Sequence, residues 1–225
     1  MFSTIRIRLA GLLLLFRIPS GGSAQVAADT FDAEIDYYRQ LDTTQQLPEH
    51  PILFIGSSSV KNWYAFDSVF SGYVVLNRGF GGSQLTDIIH YAPDVILKYD
   101  PKQIVIYAGE NDFAKSDSVS ASTVFSRFKE LYDTIRRTYP DIPVLCMSVK
   151  PSPAKRHMMR KIETYNQLLR DFTNTESNLT FVDVYAAMLR GDGKPDRELF
   201  LSDMTHMNEK GYEAWNELLL PLLLH

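Results

Sequence analysis

The sequence predicts an α/β protein, a three-layer sandwich with helices on both faces of a five-stranded parallel sheet. Three observations carry that prediction. Short apolar runs rich in β-branched and aromatic residues recur along the chain, each too short for a helix and closed by a turn signal. Longer segments with apolar residues at helical spacing alternate with them. The 225 residues are 45% apolar and 22% charged, ordinary usage for a globular chain and enough to bury a substantial core.

Phe31 to Leu41 has the pattern of an amphipathic helix, and Gln45 to His50 is a polar connector into the first strand, Ile52 to Ile55. That strand stops at Gly56 and three serines, so the chain goes strand, tight turn, helix, with a hydroxyl free to cap the helix. Gly72 to Asn77 reads as a second strand, followed by the glycine-rich turn Arg78 to Ser83 and a helix from Ser83 to Tyr91. Pro93 breaks the pattern before a further turn to Tyr99. Lys102 to Ala108 is a third strand, ending in Gly109-Glu-Asn-Asp112, and Val119 to Tyr139 is a long helix closed by Pro140. Ile142 to Val149 is a fourth strand, Lys155 to Asn174 a helix, Leu179 to Val184 a fifth strand. A loop through Pro195 leads to a closing helix from Asn208 to Leu222. Five such strands fit a flavodoxin-like order. With no repeat or internal linker, residues 25–225 are expected to form one domain.

Residues 1–24 have the layout of a secretory signal peptide. Arg6 and Arg8 precede the apolar block Leu9 to Phe16, and Gly22-Ser-Ala24 supplies small residues before Gln25. The block, interrupted by Arg17, is too short to span a bilayer, so no stable membrane insertion is expected once the leader is removed. The expected location is secreted or periplasmic. Losing Arg6, Arg8 and Arg17 leaves 20 basic against 27 acidic residues, a net charge of −7. Such a balance argues against nucleic acid as a partner. The lone cysteine, Cys146, lies in an apolar run and reads as a small core residue.

Four polar or glycine-rich fragments fall at the same sheet edge: Ser58, Gly79-Phe-Gly-Gly82, Asn111 and Asp203-Met-Thr-His206. Each has a plain alternative reading, as helix cap, turn glycine or solvated residue. Their convergence favours acyl transfer. A serine needs a base to become a nucleophile, and a histidine base needs a carboxylate to hold one tautomer. Asp203 and His206, three apart, can bond directly within a single turn. The backbone N–H groups of Ser58 and Gly82 and the side-chain amide of Asn111 are candidate oxyanion donors.

These four fragments resemble the sequence blocks of the SGNH (GDSL-type) esterases and acylhydrolases, over about Pro51 to Leu218. The resemblance implies Ser58 as nucleophile, Gly82 and Asn111 beside Ser58 as oxyanion donors, and Asp203 and His206 as carboxylate and base. It implies a serine esterase that needs no cofactor or metal and acts on a small-molecule or glycan ester. Two positions depart from the family pattern: Ser57 and Ser83 stand where relatives usually carry aspartate. Short connections after strands one and three favour a small acyl group, such as acetyl on a sugar, over a long-chain lipid. The alternatives are a lysophospholipase or a carbohydrate-binding relative with weakened catalysis.

Other chemistries fit less well. Gly56-Ser-Ser-Ser-Val60 lacks the second glycine of the G-x-S-x-G nucleophile elbow. Gly79-Phe-Gly-Gly-Ser-Gln84 lacks the third glycine of a dinucleotide fingerprint. Asp203 and His206 lack the further ligands of a zinc site. The basic segment Lys155 to Lys161 reads either as a solvated helix face or as an attractor of anionic substrate.

Overall fold

The computed structural model describes residues 31–225, so the leader expected over residues 1–24 lies outside the described residues. Five strands form one sheet: β1 (Ile52–Gly56), β2 (Val75–Asn77), β3 (Gln103–Tyr107), β4 (Val144–Met147) and β5 (Leu179–Val182). Their order is β2-β1-β3-β4-β5, and every pairing is parallel. This is the flavodoxin-like order expected from the sequence. The chain moves outward from β1 to β2 and then returns to place β3 on the other side of β1. Ligands of such sheets bind at that reversal, beyond the carboxyl ends of the strands.

Period-two alternation divides the strand residues between two cores. Leu53, Ile55, Ile104, Ile106, Val144 and Cys146 face one layer of helices: α1 (Asp32–Thr44), α4 (Leu85–His90), α5 (Ala92–Val95), α7 (Ala121–Thr138) and α8 (Met159–Thr173). Ile52, Phe54, Val105, Tyr107, Leu145 and Met147 face the other, built on α2 (Ser58–Lys61), the stretch to Phe70 that includes α3 (Phe66–Val69), α9 (Val184–Ala187) and α10 (Glu209–Leu219). The remaining helix, α6 (Glu110–Lys115), follows β3 directly. Strands buried on both faces explain why their sequences are continuously apolar rather than alternating.

The helices follow from ordinary signals. In α7, Val124, Phe128, Leu131, Tyr132 and Ile135 form one buried stripe, and the Ser120 hydroxyl accepts the Thr123 N–H at 3.1 Å as an N-cap. Several boundaries differ from expectation. β2 begins at Val75 rather than Gly72 and is only half-buried at the sheet edge. β5 ends at Val182 because Asp183 turns to cap α9, its Oδ1 accepting the Ala186 N–H at 3.1 Å. The helix expected from Lys155 opens as a 3₁₀ segment, Pro153–Met158, before α8. α10 ends at Leu219, and a 3₁₀ turn containing Pro221 completes the predicted span.

Candidate active site

The turn after β1 is dictated by Gly56. Its φ is +150°, and a Cβ there would lie 2.1 Å from the carbonyl oxygen of Tyr107 on the neighbouring strand. Ser57 occupies the N-cap position of α2, but its side chain caps nothing. The expectation of a serine cap is therefore corrected: α2 is four residues long, and Ser58 is its first residue. Among the described residues, the Ser58 N–H and hydroxyl make no hydrogen bond. A helix N-terminus leaves such an amide free.

The glycine-rich turn after β2 is stitched to this one. Asn77 accepts the Gly79 N–H at 2.9 Å and donates to the Val60 carbonyl at 2.8 Å. The Phe80 N–H donates to the Gly56 carbonyl at 3.0 Å. The buried Ser83 hydroxyl reaches the Phe80 and Gly56 carbonyls at 2.9 and 3.3 Å. A hydroxyl can donate at this position, whereas an ionised carboxylate would meet two acceptors, so Ser83 suits its surroundings. α1 buttresses the same turn: Tyr38 donates to the Gly79 carbonyl, and Glu34 accepts the Gly81 N–H at 3.4 Å.

Gly82 has φ +81° with open space where a Cβ would be, and its N–H has no acceptor among the described residues. The Asn111 amide donates one N–H to the Ser83 carbonyl at 3.0 Å, keeping its second for another acceptor. Gly82 and Asn111 line one cavity of about 400 Å³, together with Phe31, Gln84, Asp87 and Lys115. Buried Asp112 fixes the wall behind it by accepting the Leu85 N–H at 3.0 Å and Arg127 at 2.7 Å. Burial pushes the Asp112 carboxyl up, and these donors offset that only in part.

Asp203 and His206 pair directly, Oδ2 to Nδ1 at 2.6 Å. The other carboxylate oxygen accepts the backbone N–H groups of Thr205 and His206, both at 2.9 Å. The pair is not made on a helix. It sits in a tight turn with Met204 left-handed at φ 56°, closed by the Leu201 N–H on the His206 carbonyl at 2.8 Å. The His206 hydrogen bond, followed by these backbone donors, holds the Asp203 carboxyl down to about 2. No hydrogen bond joins the Ser58 hydroxyl to the His206 ring among the described residues. Their segments are tied one step away: Tyr212, just past His206, donates to the Ser59 carbonyl at 3.1 Å.

Sequence reasoning missed the polar cluster beneath these turns. Lys150, 1% exposed, bonds the buried Glu110 carboxylate, the Ser59 hydroxyl at 3.2 Å and the Tyr107 hydroxyl at 3.3 Å. Glu110 also accepts Ser152 at 2.8 Å and pairs with Lys155 at 3.0 Å. Burial alone would raise the Glu110 carboxyl, but the two ammonium groups override it and hold it at about 2. The available signal was a lysine closing the apolar run Val144 to Val149 and a glutamate directly before Asn111. Lys155 is thus drawn inward, which corrects the solvated-face reading of the basic segment at its first residue.

Residues 55–214 match the model of the GDSL-like lipase/acylhydrolase family. The chain belongs to this family. Similar solved structures include a GDSL-like lipase from Bacteroides thetaiotaomicron, 20% identical, covering 84% of this chain and 97% of that one at a TM-score of 0.73. A carbohydrate esterase of family 3 from Talaromyces cellulolyticus is 14% identical, covering 76% and 95% with a TM-score of 0.63. A variant of an acetyl-xylooligosaccharide esterase from Geobacillus is 16% identical, covering 79% and 95% with a TM-score of 0.61. At these identities the likeness establishes the fold. No curated protein matches by sequence. Among the described residues, no cluster of His, Cys, Asp or Glu is arranged to hold a metal, and no helix is long and apolar enough to cross a membrane.

Proposed function

We propose that this acylhydrolase is a secreted or periplasmic serine esterase that removes small acyl groups, acetyl foremost, from carbohydrate-type esters. The observation that carries the reading is the 2.6 Å Asp203–His206 pair, in a segment anchored to the turn that presents Ser58. With Nδ1–H directed at Asp203, the His206 Nε2 lone pair is the base. Ser58 Oγ bonds to the ester carbonyl carbon as its proton passes to Nε2. The carbonyl electron pair moves onto oxygen, facing the N–H groups of Ser58, Gly82 and Asn111. Collapse of that intermediate breaks the bond to the alkoxide, which takes the proton from His206. Water, deprotonated by the same ring, then attacks the acyl-enzyme and releases the acid and Ser58. The chemistry uses no cofactor.

Support for a small acyl group and a polar alcohol comes from the cavity beside Gly82 and Asn111. Gln84, Asp87 and Lys115 on its walls suit a polar alcohol, and Phe31 and Ala114 offer the acyl group a limited apolar surface. Purified protein should hydrolyse p-nitrophenyl acetate and release acetate from acetylated xylooligosaccharides. Ser58→Ala should lose both with folding unchanged, and a serine-directed phosphonate should label Ser58. Turnover retained by Ser58→Ala overturns the assignment, and faster turnover of long-chain than acetyl esters overturns the substrate class.

A further inference from the structure

We propose that Lys150 is a positioning residue of the esterase: its buried ammonium ties the nucleophile turn to the Asn111 turn, and the loop it begins carries that register to the His206 turn. This rests on the serine-esterase reading above. Lys150 follows β4 and belongs to none of the sequence blocks that carry the family resemblance.

The Lys150 ammonium makes two of the links itself, and the loop that Lys150 begins makes the third. Toward the nucleophile, Nζ meets the hydroxyl of Ser59, the residue after Ser58. Toward the oxyanion donors, Nζ pairs with Glu110, the residue before Asn111. Toward the base, the same loop continues through Ser152, whose hydroxyl bonds Glu110, to Ala154, whose N–H donates to the Met204 carbonyl between Asp203 and His206 at 3.0 Å. Each catalytic segment is thus gripped within one or two residues of its reacting group.

The arrangement also answers the departure at Ser57. Where relatives usually carry an aspartate before the nucleophile, the Ser57 side chain is buried and is given no hydrogen bond among the described residues. The turn is instead held from its other flank, by Lys150 on the Ser59 hydroxyl and by Tyr212 on the Ser59 carbonyl. A buried ion pair is weak support for a fold, because desolvation consumes most of the attraction, and it is better suited to fixing one geometry among several. A cluster serving packing alone could be apolar here, since the Tyr107 ring already packs on Trp215 with centroids 4.7 Å apart.

The test compares Ser59→Ala, Lys150→Met and the Lys150→Met/Glu110→Gln double variant with wild type, using p-nitrophenyl acetate kinetics and thermal melts. Ser59→Ala removes one link without stranding a charge. It should lower kcat about tenfold at near-constant KM and unchanged Tm. Lys150→Met should lower kcat about a hundredfold, the scale of an ångström-sized misplacement, and also lower Tm, because buried Glu110 is left with Lys155 as its one ammonium partner. The double variant should recover most of the Tm and none of the kcat. A merely structural role predicts that kcat returns with Tm, and that result, or an unaltered kcat in Ser59→Ala, overturns the proposal. If Lys150→Met does not fold, the other two variants decide it. Activity surviving in Ser58→Ala instead fails the esterase reading itself, whatever Lys150 does.

Discussion

Asp203 sits at the meeting point of one imidazole and two backbone N–H groups, and it keeps its charge down to about pH 2 as a result. Asp203→Asn preserves the shape but presents an amide to Nδ1, favouring the wrong ring tautomer. A fall in kcat of about 10³–10⁴ is expected for p-nitrophenyl acetate. Since Asp203 does not titrate in the working range, kcat/KM above about pH 4 should carry no ionisation from this carboxylate, and an acid limb steeper than unit slope would show one. Two glycines make a second test. Gly82→Ala meets open space and bears only the left-handed backbone cost, about 1–2 kcal/mol. Gly56→Ala would drive a methyl into the Tyr107 carbonyl, so urea denaturation should show a far larger loss, or no folded protein. Gly56 was legible as a turn signal and Gly82 as a candidate oxyanion donor in a glycine-rich turn. Which one had room was not, because the obstacle at Gly56 comes from a strand fifty residues on, and no local pattern records it. Asp203 and His206 were legible as a pair because both partners lie in one short turn. Lys150 and Glu110 are forty residues apart, and only the sheet brings them together.

At the scale of elements, β3, β4 and the segments they launch are cross-linked by the Lys150–Glu110 cluster, and this has a signature in pH. The folded Glu110 carboxyl lies near 2, below its ordinary value of 4.5. Its contribution is therefore fully present above about pH 4.5 and is lost as pH falls through about 2. Urea unfolding at pH 6 and pH 3 should show wild type losing more stability than Glu110→Gln over that interval; equal losses would place the acid sensitivity elsewhere. Strands and long helices were legible because burial on both sheet faces and a 3.6-residue stripe leave plain marks, as in Ile52–Gly56 and α7. The start of α8 was not. Lys155 departs from helical geometry at φ −108° while its ammonium pairs with Glu110, and a tertiary ion pair is invisible to local propensity.

Across the whole molecule, the sheet separates a core of α1, α4, α5, α7 and α8 from a second, aromatic core where the chemistry is anchored. Trp63 is the hub of that second core, with ring centroids 5.4–5.7 Å from Phe54, Phe70, Tyr212 and Trp215 and its indole N–H on Asn216 at 3.0 Å. Trp63→Ala should cost about 3–5 kcal/mol in chemical denaturation, and a loss under 1 kcal/mol would mean the two sides of this core do not depend on it. The five-strand order was legible because βαβ units leave few topologies once the strands are known. What joins the aromatic core to His206 was not, since Tyr212 and Trp215 have only the i, i+3 spacing of any buried helix face. That junction has a consequence for biogenesis. His206 arrives in chain order only after all five strands, and the helix that follows it docks on Ser59 and Tyr107 through Tyr212 and Trp215. Under the proposed mechanism, a polypeptide interrupted anywhere between Val182 and Asp203 would hold Ser58, Gly82 and Asn111 yet lack the proposed proton acceptor, so hydrolytic competence would be withheld from every shorter intermediate of synthesis.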